Sequence, residues 1–252
     1  VSQRPSCVIR AFALALQLLT RLPIPSSSAI PRPEELRRSV LWFPIVGLLI
    51  GALLAGLHLA LGQTDPGVLA ALLLAFWALL TGGLHLDGLA DSADAWIGGQ
   101  GNRDHTLAIM KDPRSGPVAI VAIVLVLLNK FAALQTLASN ACIALLLAPM
   151  LGRTVVVLLL ITTPYVRPGG LGAPYAYALP RLSCGLLVLP IAVLTVMLLK
   201  GQGGILITML GLGFLSLRYG LITRLGGTTG DTLGAACELT ETVVLTTLTV
   251  LG

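Results

Sequence analysis

Three aspartates, Asp87, Asp91 and Asp94, fall within eight consecutive positions of the stretch TGGLHLDGLADSADAW, residues 81 to 96. Residues three, four and seven apart share one face of a helix, so their carboxylates project from one side, with Gly88, Ala90 and Ala93 leaving the backbone approachable. Carboxylates crowded into two turns repel one another, and a divalent cation relieves the repulsion. Hard oxygen donors without cysteine or a paired histidine nearby suit magnesium or manganese. The competing account is a solvated helix end that carries acidic residues. Because the aspartates follow an apolar stretch and sit among small residues, outside any mixed-charge run, the cation site is the stronger expectation. His85 stands two residues before Asp87 and does not share its face. The sequence leaves it open between a structural role and a direct ligand or catalytic one.

Two more polar knots could do chemistry. The run Lys111-Asp112-Pro113-Arg114-Ser115-Gly116-Pro117 reads as a turn feeding a helix that begins at Pro117. Lys111 and Arg114 are candidates to hold phosphate oxygens, the lysine as a point charge and the arginine as a fork. Equally, they are the positive charges that mark a loop kept in the cytoplasm. Asp112 is either a turn former or a further metal-binding or basic carboxylate. The second knot, Gly226-Gly227-Thr228-Thr229-Gly230-Asp231, opens another helix. Free amides and the positive end of the helix dipole suit a phosphate there, which makes Gly230 a candidate phosphate contact. Asp231 either caps that helix or joins a metal bridging to the same phosphate. Glu238 lies on the same face about 10 Å further along the axis, and Glu241 lies deeper still. Ionisable groups at such depth need partners; Lys130 and Arg153 are the candidates, as a structural ion pair or within a polar cavity.

The elements that position these groups must lie in a membrane. Only 11% of the 252 residues are charged, 56% are hydrophobic and the mean hydropathy is +0.92, whereas about a quarter of a soluble domain is charged. Apolar runs of about 20 residues cross a bilayer, and such runs occur near 39–62, 68–84, 117–138, 141–162, 182–200, 203–222 and 231–250. They are continuous and rich in Leu and Ala, without the alternation of barrel strands. Helices then satisfy the backbone in lipid. The expected fold is an all-α polytopic transmembrane helix bundle of about seven spans, residues 1–252 forming a single integral membrane domain. The shorter stretch 11–20 reads as an N-terminal interfacial helix; it is too short for a signal peptide and has no small-x-small site close behind it.

Lys and Arg concentrate in alternate connections, before residue 39 and in 85–116, 163–181 and 223–230. This bias places the N-terminus and every polar knot in the cytoplasm and the C-terminus outside. The net charge of +5 then lies on one face, suited to anionic headgroups and anionic substrates. Cys7, Cys142, Cys184 and Cys237 show no paired spacing and read as small buried apolar residues. Nothing in the sequence points to a nucleic-acid partner, and homo-oligomerisation stays open.

The blocks Gly82-Gly83-Leu84-His85-Leu86-Asp87-Gly88-Leu89-Ala90-Asp91-Ser92-Ala93-Asp94, Ile109-Met110-Lys111-Asp112-Pro113-Arg114-Ser115-Gly116 and Gly226 to Ala236 with Glu238 resemble the signature blocks of the cobalamin synthase family, the adenosylcobinamide-GDP ribazoletransferases. Leu19-Thr20-Arg21-Leu22-Pro23 and Trp42-Phe43-Pro44-Ile45-Val46-Gly47 fit as well, so the likeness spans almost the whole chain. The resemblance implies a magnesium-dependent, multi-pass enzyme of the bacterial inner membrane. In it, a hydroxyl of alpha-ribazole, or of its 5′-phosphate, attacks the cobinamide-bound phosphate of adenosylcobinamide-GDP, and GMP leaves. Such transfer is mostly positioning and charge neutralisation, with a carboxylate to accept the nucleophile's proton. On that footing Asp87, Asp91 and Asp94 hold magnesium on the diphosphate, Asp231 and Glu238 complete its shell, and Lys111, Arg114 and Gly230 steady phosphates. Asp94 or Asp112 serves as base. The alternatives are a CDP-alcohol-type lipid phosphotransferase, whose aspartate motif is spaced more widely, and a cation or proton transporter using Glu238, Glu241, Lys130 and Arg153 as a relay.

Overall fold

The computed structural model describes residues 7–25, 30–137, 141–177 and 179–251. Those residues form helices with no strand: α1 (Cys7–Leu19), α2 (Pro33–Ser39), α3 (Phe43–Ala60), α4 (Pro66–Thr81), α5 (Leu84–Gly98), α6 (Arg103–Ile109), α7 (Pro117–Thr136), α8 (Ala141–Thr162), α9 (Ala173–Ala176), α10 (Arg181–Leu199), α11 (Gly201–Leu225) and α12 (Gly230–Leu251). A short 3-10 turn, Val40–Trp42, joins α2 to α3. Six helices are long and apolar enough to cross a membrane, and α4 with α5 makes a seventh if counted as one broken span. The all-α polytopic bundle expected from composition is therefore the architecture observed.

The expected run 68–84 does not continue straight. Gly82 and Gly83 both take left-handed backbone, φ +64° and +68°, a conformation that glycine adopts without a Cβ penalty. They end α4 and start α5 at an 88° bend. The N-terminal stretch forms α1, which buries Ala11, Ala15, Leu16 and Leu19 against the rest of the protein.

At the centre of the bundle α8 packs most closely on α3 and α12. Gly47 and Gly51 sit one turn apart on α3 and let its backbone meet that of α8; a Cβ on Gly51 would lie 2.7 Å from the Leu146 Cα. Small residues four apart commonly bring membrane helices this close. Pro149 inside α8 has no amide for the Leu145 carbonyl four residues back, and Gly51 packs directly against that carbonyl. By contrast, α10 and α11 turn most of their side chains outward, as helices do where lipid is the solvent.

A network of charges lies inside this apolar frame. Lys130 Nζ on α7 donates to Glu238 Oε2 and Glu241 Oε2 on α12, each at 2.5 Å, and stands 4.5 Å above the ring of Trp77 on α4. Arg153 on α8 pairs with Glu241, and its second terminal nitrogen is 3.2 Å from His85 Nδ1 on α5. Lys130 and Arg153 are thus the partners of the two deep glutamates. Two cations face two carboxylates, and each has lost its water. Replacing one member leaves its partner buried and uncompensated, at about 3–5 kcal/mol. Lys130→Met is expected to lose stability of that order, and Lys130→Met with Glu238→Gln to recover part of it, measured by denaturant unfolding in mild detergent. A single variant as stable as the parent would show that the network carries no weight.

Candidate active site

The acidic helix α5 reaches α12 by close backbone contact. A Cβ on Gly88 would fall 2.6 Å from the Asp231 carbonyl oxygen, and one on Gly234 would lie 3.3 Å from the His85 Cα. Only glycines on both helices permit this approach, and it sets Asp87 and Asp91 beside Asp231. The start of α12 is itself pinned. Thr229 N donates to Thr232 Oγ1 at 2.8 Å and Thr232 N donates to Thr229 Oγ1 at 3.2 Å, a reciprocal cap that uses two of the amides a helix start leaves free.

A third segment joins them. The loop after α8 forms a one-residue parallel bridge with the turn before α12: Val166 N donates to Thr228 O at 2.9 Å, and Thr228 N donates to Pro164 O at 2.7 Å. The bridge carries Tyr165 and Arg167 to the site, where Arg167 Nη1 donates to Asp231 Oδ2. Burial first, and then the negative charge of Asp231, push the Tyr165 phenol up from its ordinary value, so it stays protonated.

These pieces enclose a cavity of about 400 Å³. Asp87, Asp91, Asp231, Arg167 and His85 supply its charged and polar lining, and α1, α3, α8 and α9 contribute mainly apolar residues. Three carboxylates face one guanidinium, an excess of two negative charges. Among the described residues, no protein donor or cation pairs with the side chains of Asp87 or Asp91. Asp87 is exposed at the cavity mouth and Asp91 is half-buried.

Of the residues singled out in the sequence, Asp87, Asp91, Asp231 and Gly230 come together on this wall; Asp94, Asp112, Lys111, Arg114 and Glu238 do not. Asp94 shares the α5 face but is drawn away at its far end. Its Oδ1 accepts from Ala119 N at 2.8 Å and its Oδ2 from Gly116 N, so it caps α7 across space, where the helix dipole favours an anion. Asp112 accepts from Arg114 Nε at 2.9 Å and Nη2 at 2.6 Å, and from the Arg114 amide. Those side-chain bonds, followed by the amide, hold its carboxyl down to about 2, which makes it a weak proton acceptor at neutral pH. Lys111 and Arg114 lie exposed on the same loop. Glu238 is committed to Lys130, inside the bundle.

Tyr165, Arg167 and the loop Gly169-Gly170-Leu171-Gly172 also line the cavity, and the sequence reading missed them as site residues. Their signal was an arginine followed by a glycine-rich run in a loop on the same side as the aspartates. It was counted only toward topology.

The donor set suits a divalent metal of the magnesium type. Among the described residues, no three acidic, histidine or cysteine side chains converge into a complete shell. Magnesium does not need one: it keeps several waters and is bound through one or two carboxylates together with substrate phosphates. Asp87 and Asp91, four residues apart and unpartnered, with Asp231 opposite, provide that kind of partial site.

The family model described as cobalamin-5-phosphate synthase matches residues 11–249. The chain belongs to that family. Similar proteins carry the name adenosylcobinamide-GDP ribazoletransferase. One from Pseudomonas fluorescens is 55% identical over 236 residues, covering 93% of this chain and 96% of its own. Another from Ectopseudomonas mendocina is 54% identical, with the same coverages. A third, from Pseudomonas aeruginosa, is 51% identical over 95% of this chain and 98% of its own. No solved structure matches.

In this cobalamin-5-phosphate synthase family member, Asp94 acts as a cap and not as a cavity ligand, which has a measurable consequence. Asp94→Ala is expected to cost about 0.5–2 kcal/mol of stability, as lost caps do, while Asp94→Asn keeps an acceptor and most transfer activity. A loss of activity in Asp94→Asn as steep as in Asp87→Asn would put the carboxylate back among the metal ligands.

Proposed function

We propose that this chain is an adenosylcobinamide-GDP ribazoletransferase acting in cobalamin nucleotide-loop assembly. The observation that carries the proposal is the pair of carboxylates, Asp87 and Asp91, gathered with Asp231 and Arg167 in the lining of a cavity that is otherwise largely apolar. A nucleotide diphosphate needs its charge neutralised and its reacting phosphate oriented, and alpha-ribazole brings an apolar aromatic base and a ribose hydroxyl.

In the reaction a ribose hydroxyl of alpha-ribazole, or of its 5′-phosphate, forms a bond to the cobinamide-bound phosphorus of adenosylcobinamide-GDP. The diphosphate P–O bond breaks, and GMP leaves with the bridging oxygen. Magnesium held by Asp87 and Asp91, with Asp231 opposite, would neutralise the diphosphate and the charge that develops on the leaving phosphate. Arg167 offers a guanidinium fork to a phosphate oxygen, and the Gly230 amide lies at the positive end of α12. Asp94 and Asp112 are both engaged by other donors, so neither is a free base for the hydroxyl proton. The bias of Lys and Arg toward alternate connections supports a bacterial inner-membrane location with the N-terminus and this cavity on the cytoplasmic side, its basic surface against anionic lipid.

Purified protein incubated with adenosylcobinamide-GDP, alpha-ribazole and magnesium is expected to release GMP in step with a completed corrinoid. Asp87→Ala and Asp91→Ala should each slow transfer by roughly a thousandfold, equivalent to about 4 kcal/mol of transition-state stabilisation, while still inserting and purifying as a single species. A chelator should abolish turnover, and magnesium or manganese should restore it. Full activity in both variants would remove the carboxylates from the mechanism, and turnover undiminished by chelation would remove the metal.

A further inference from the structure

The two sides of the cavity differ in chemistry because different elements build them. The first turn of α12, α5 and the loop after α8 supply its charges. The rest of the lining includes Leu18 of α1, Phe43 of α3, Val156 and Leu160 of α8 and Tyr175 of α9. Phe43 and Tyr175 meet with ring centroids 6.2 Å apart and planes tilted by 51°, and burial pushes the Tyr175 phenol up, so it stays neutral. These residues offer aromatic and aliphatic surface, with the Tyr175 hydroxyl their one side-chain hydrogen-bonding group.

We infer that the apolar side is the seat of the aromatic base of the ribazole acceptor, and that the corrinoid stays outside the cavity with only its phosphate-bearing arm reaching the aspartates. The inference rests on the transferase function proposed above and selects among that reaction's three large groups. Size excludes the corrin. A cavity of about 400 Å³ lies near the lower end of the range that holds one drug-sized ligand, about 300–1,000 Å³, and a macrocycle ringed by amide arms is several times larger than a nucleoside. Polarity decides between the two nucleosides. Guanine carries two N–H-bearing edge positions and a carbonyl, and burying these against Phe43, Val156 and Leu160 would leave them unpaired at a cost. A dimethylbenzimidazole joined to ribose has no N–H donor and two methyl groups, so its surface matches this wall. Tilted aromatic neighbours favour it further.

The test is steady-state kinetics with each substrate varied in turn. Tyr175→Leu, which removes one ring, and Val156→Phe, which fills the space, should each raise KM for alpha-ribazole about tenfold, the size of a single aromatic contact. KM for adenosylcobinamide-GDP should change by less than about twofold. On the unaltered protein, alpha-ribazole alone should slow hydrogen exchange at the segments holding Phe43 and Tyr175, and GDP alone should not. Protection of those segments by GDP and not by alpha-ribazole, or a raised KM for adenosylcobinamide-GDP with that for alpha-ribazole unchanged, overturns the assignment. Absence of any product from the unaltered protein would instead remove the transferase function itself, a result distinct from an active enzyme whose acceptor KM ignores both substitutions.

Discussion

Two cations and two carboxylates buried in an apolar bundle must neutralise one another, because lipid offers nothing else to do so. That requirement fixes how the helices of this protein sit. Glu238 and Glu241 on α12 can meet Lys130 on α7 and Arg153 on α8 only if the three helices hold one relative depth. The network extends to α4 through the Trp77 ring beneath Lys130 and to α5 through His85 beside Arg153. Sliding any of these helices by one turn would separate a charge from its partner. The glycine contacts of α3 on α8 and of α5 on α12 add a second, steric constraint, since a Cβ at Gly47, Gly51 or Gly88 would meet the partner helix's backbone.

The cavity lies next to this network and has the opposite electrostatics. Within the network positive and negative groups balance, so it has no need of a ligand. Across the cavity wall, Asp87, Asp91 and Asp231 outnumber Arg167. His85 is the boundary between the two, contributing to the wall while its Nδ1 faces Arg153. Since an arginine side chain has no acceptor, Nδ1 accepts and Nε2 carries the proton. One set of helices thus holds a closed, neutral cluster that orders the fold and an open one with an excess of acidic groups.

Most of the architecture was legible because lipid enforces a simple rule. Runs of about 20 apolar residues must become helices, and each of the expected runs did so with shifts of a few residues. The run 68–84 hid the bend at its end because a Gly-Gly pair next to an apolar run reads the same whether straight or turned. The acidic face was legible from spacing, but its fate was decided residue by residue. Asp94 satisfies the same periodicity as Asp87 and Asp91, yet the bare amides at the start of α7 claim it, and no one-dimensional pattern records which helix end will pass nearby. Arg114, open from its residue type between a phosphate fork and a topology marker, is taken by Asp112 two residues away. Arg167 was hidden for the converse reason, since the bridge between Tyr165 and Thr228 joins segments 63 residues apart.

That bridge explains how one site can be both rigid and responsive. It locks the loop carrying Arg167 to the turn that starts α12, so Arg167 reaches Asp231 without help from the rest of the loop. Beyond it, Gly169 takes φ +79°, and Gly170 and Gly172 pack tightly around the Tyr165 ring, where a side chain would force the loop open. Arg167 therefore sits on a fixed stem with its guanidinium shared between a carboxylate and the cavity. The Arg167–Asp231 pair thereby keeps one guanidinium at the cavity lining beside the aspartates.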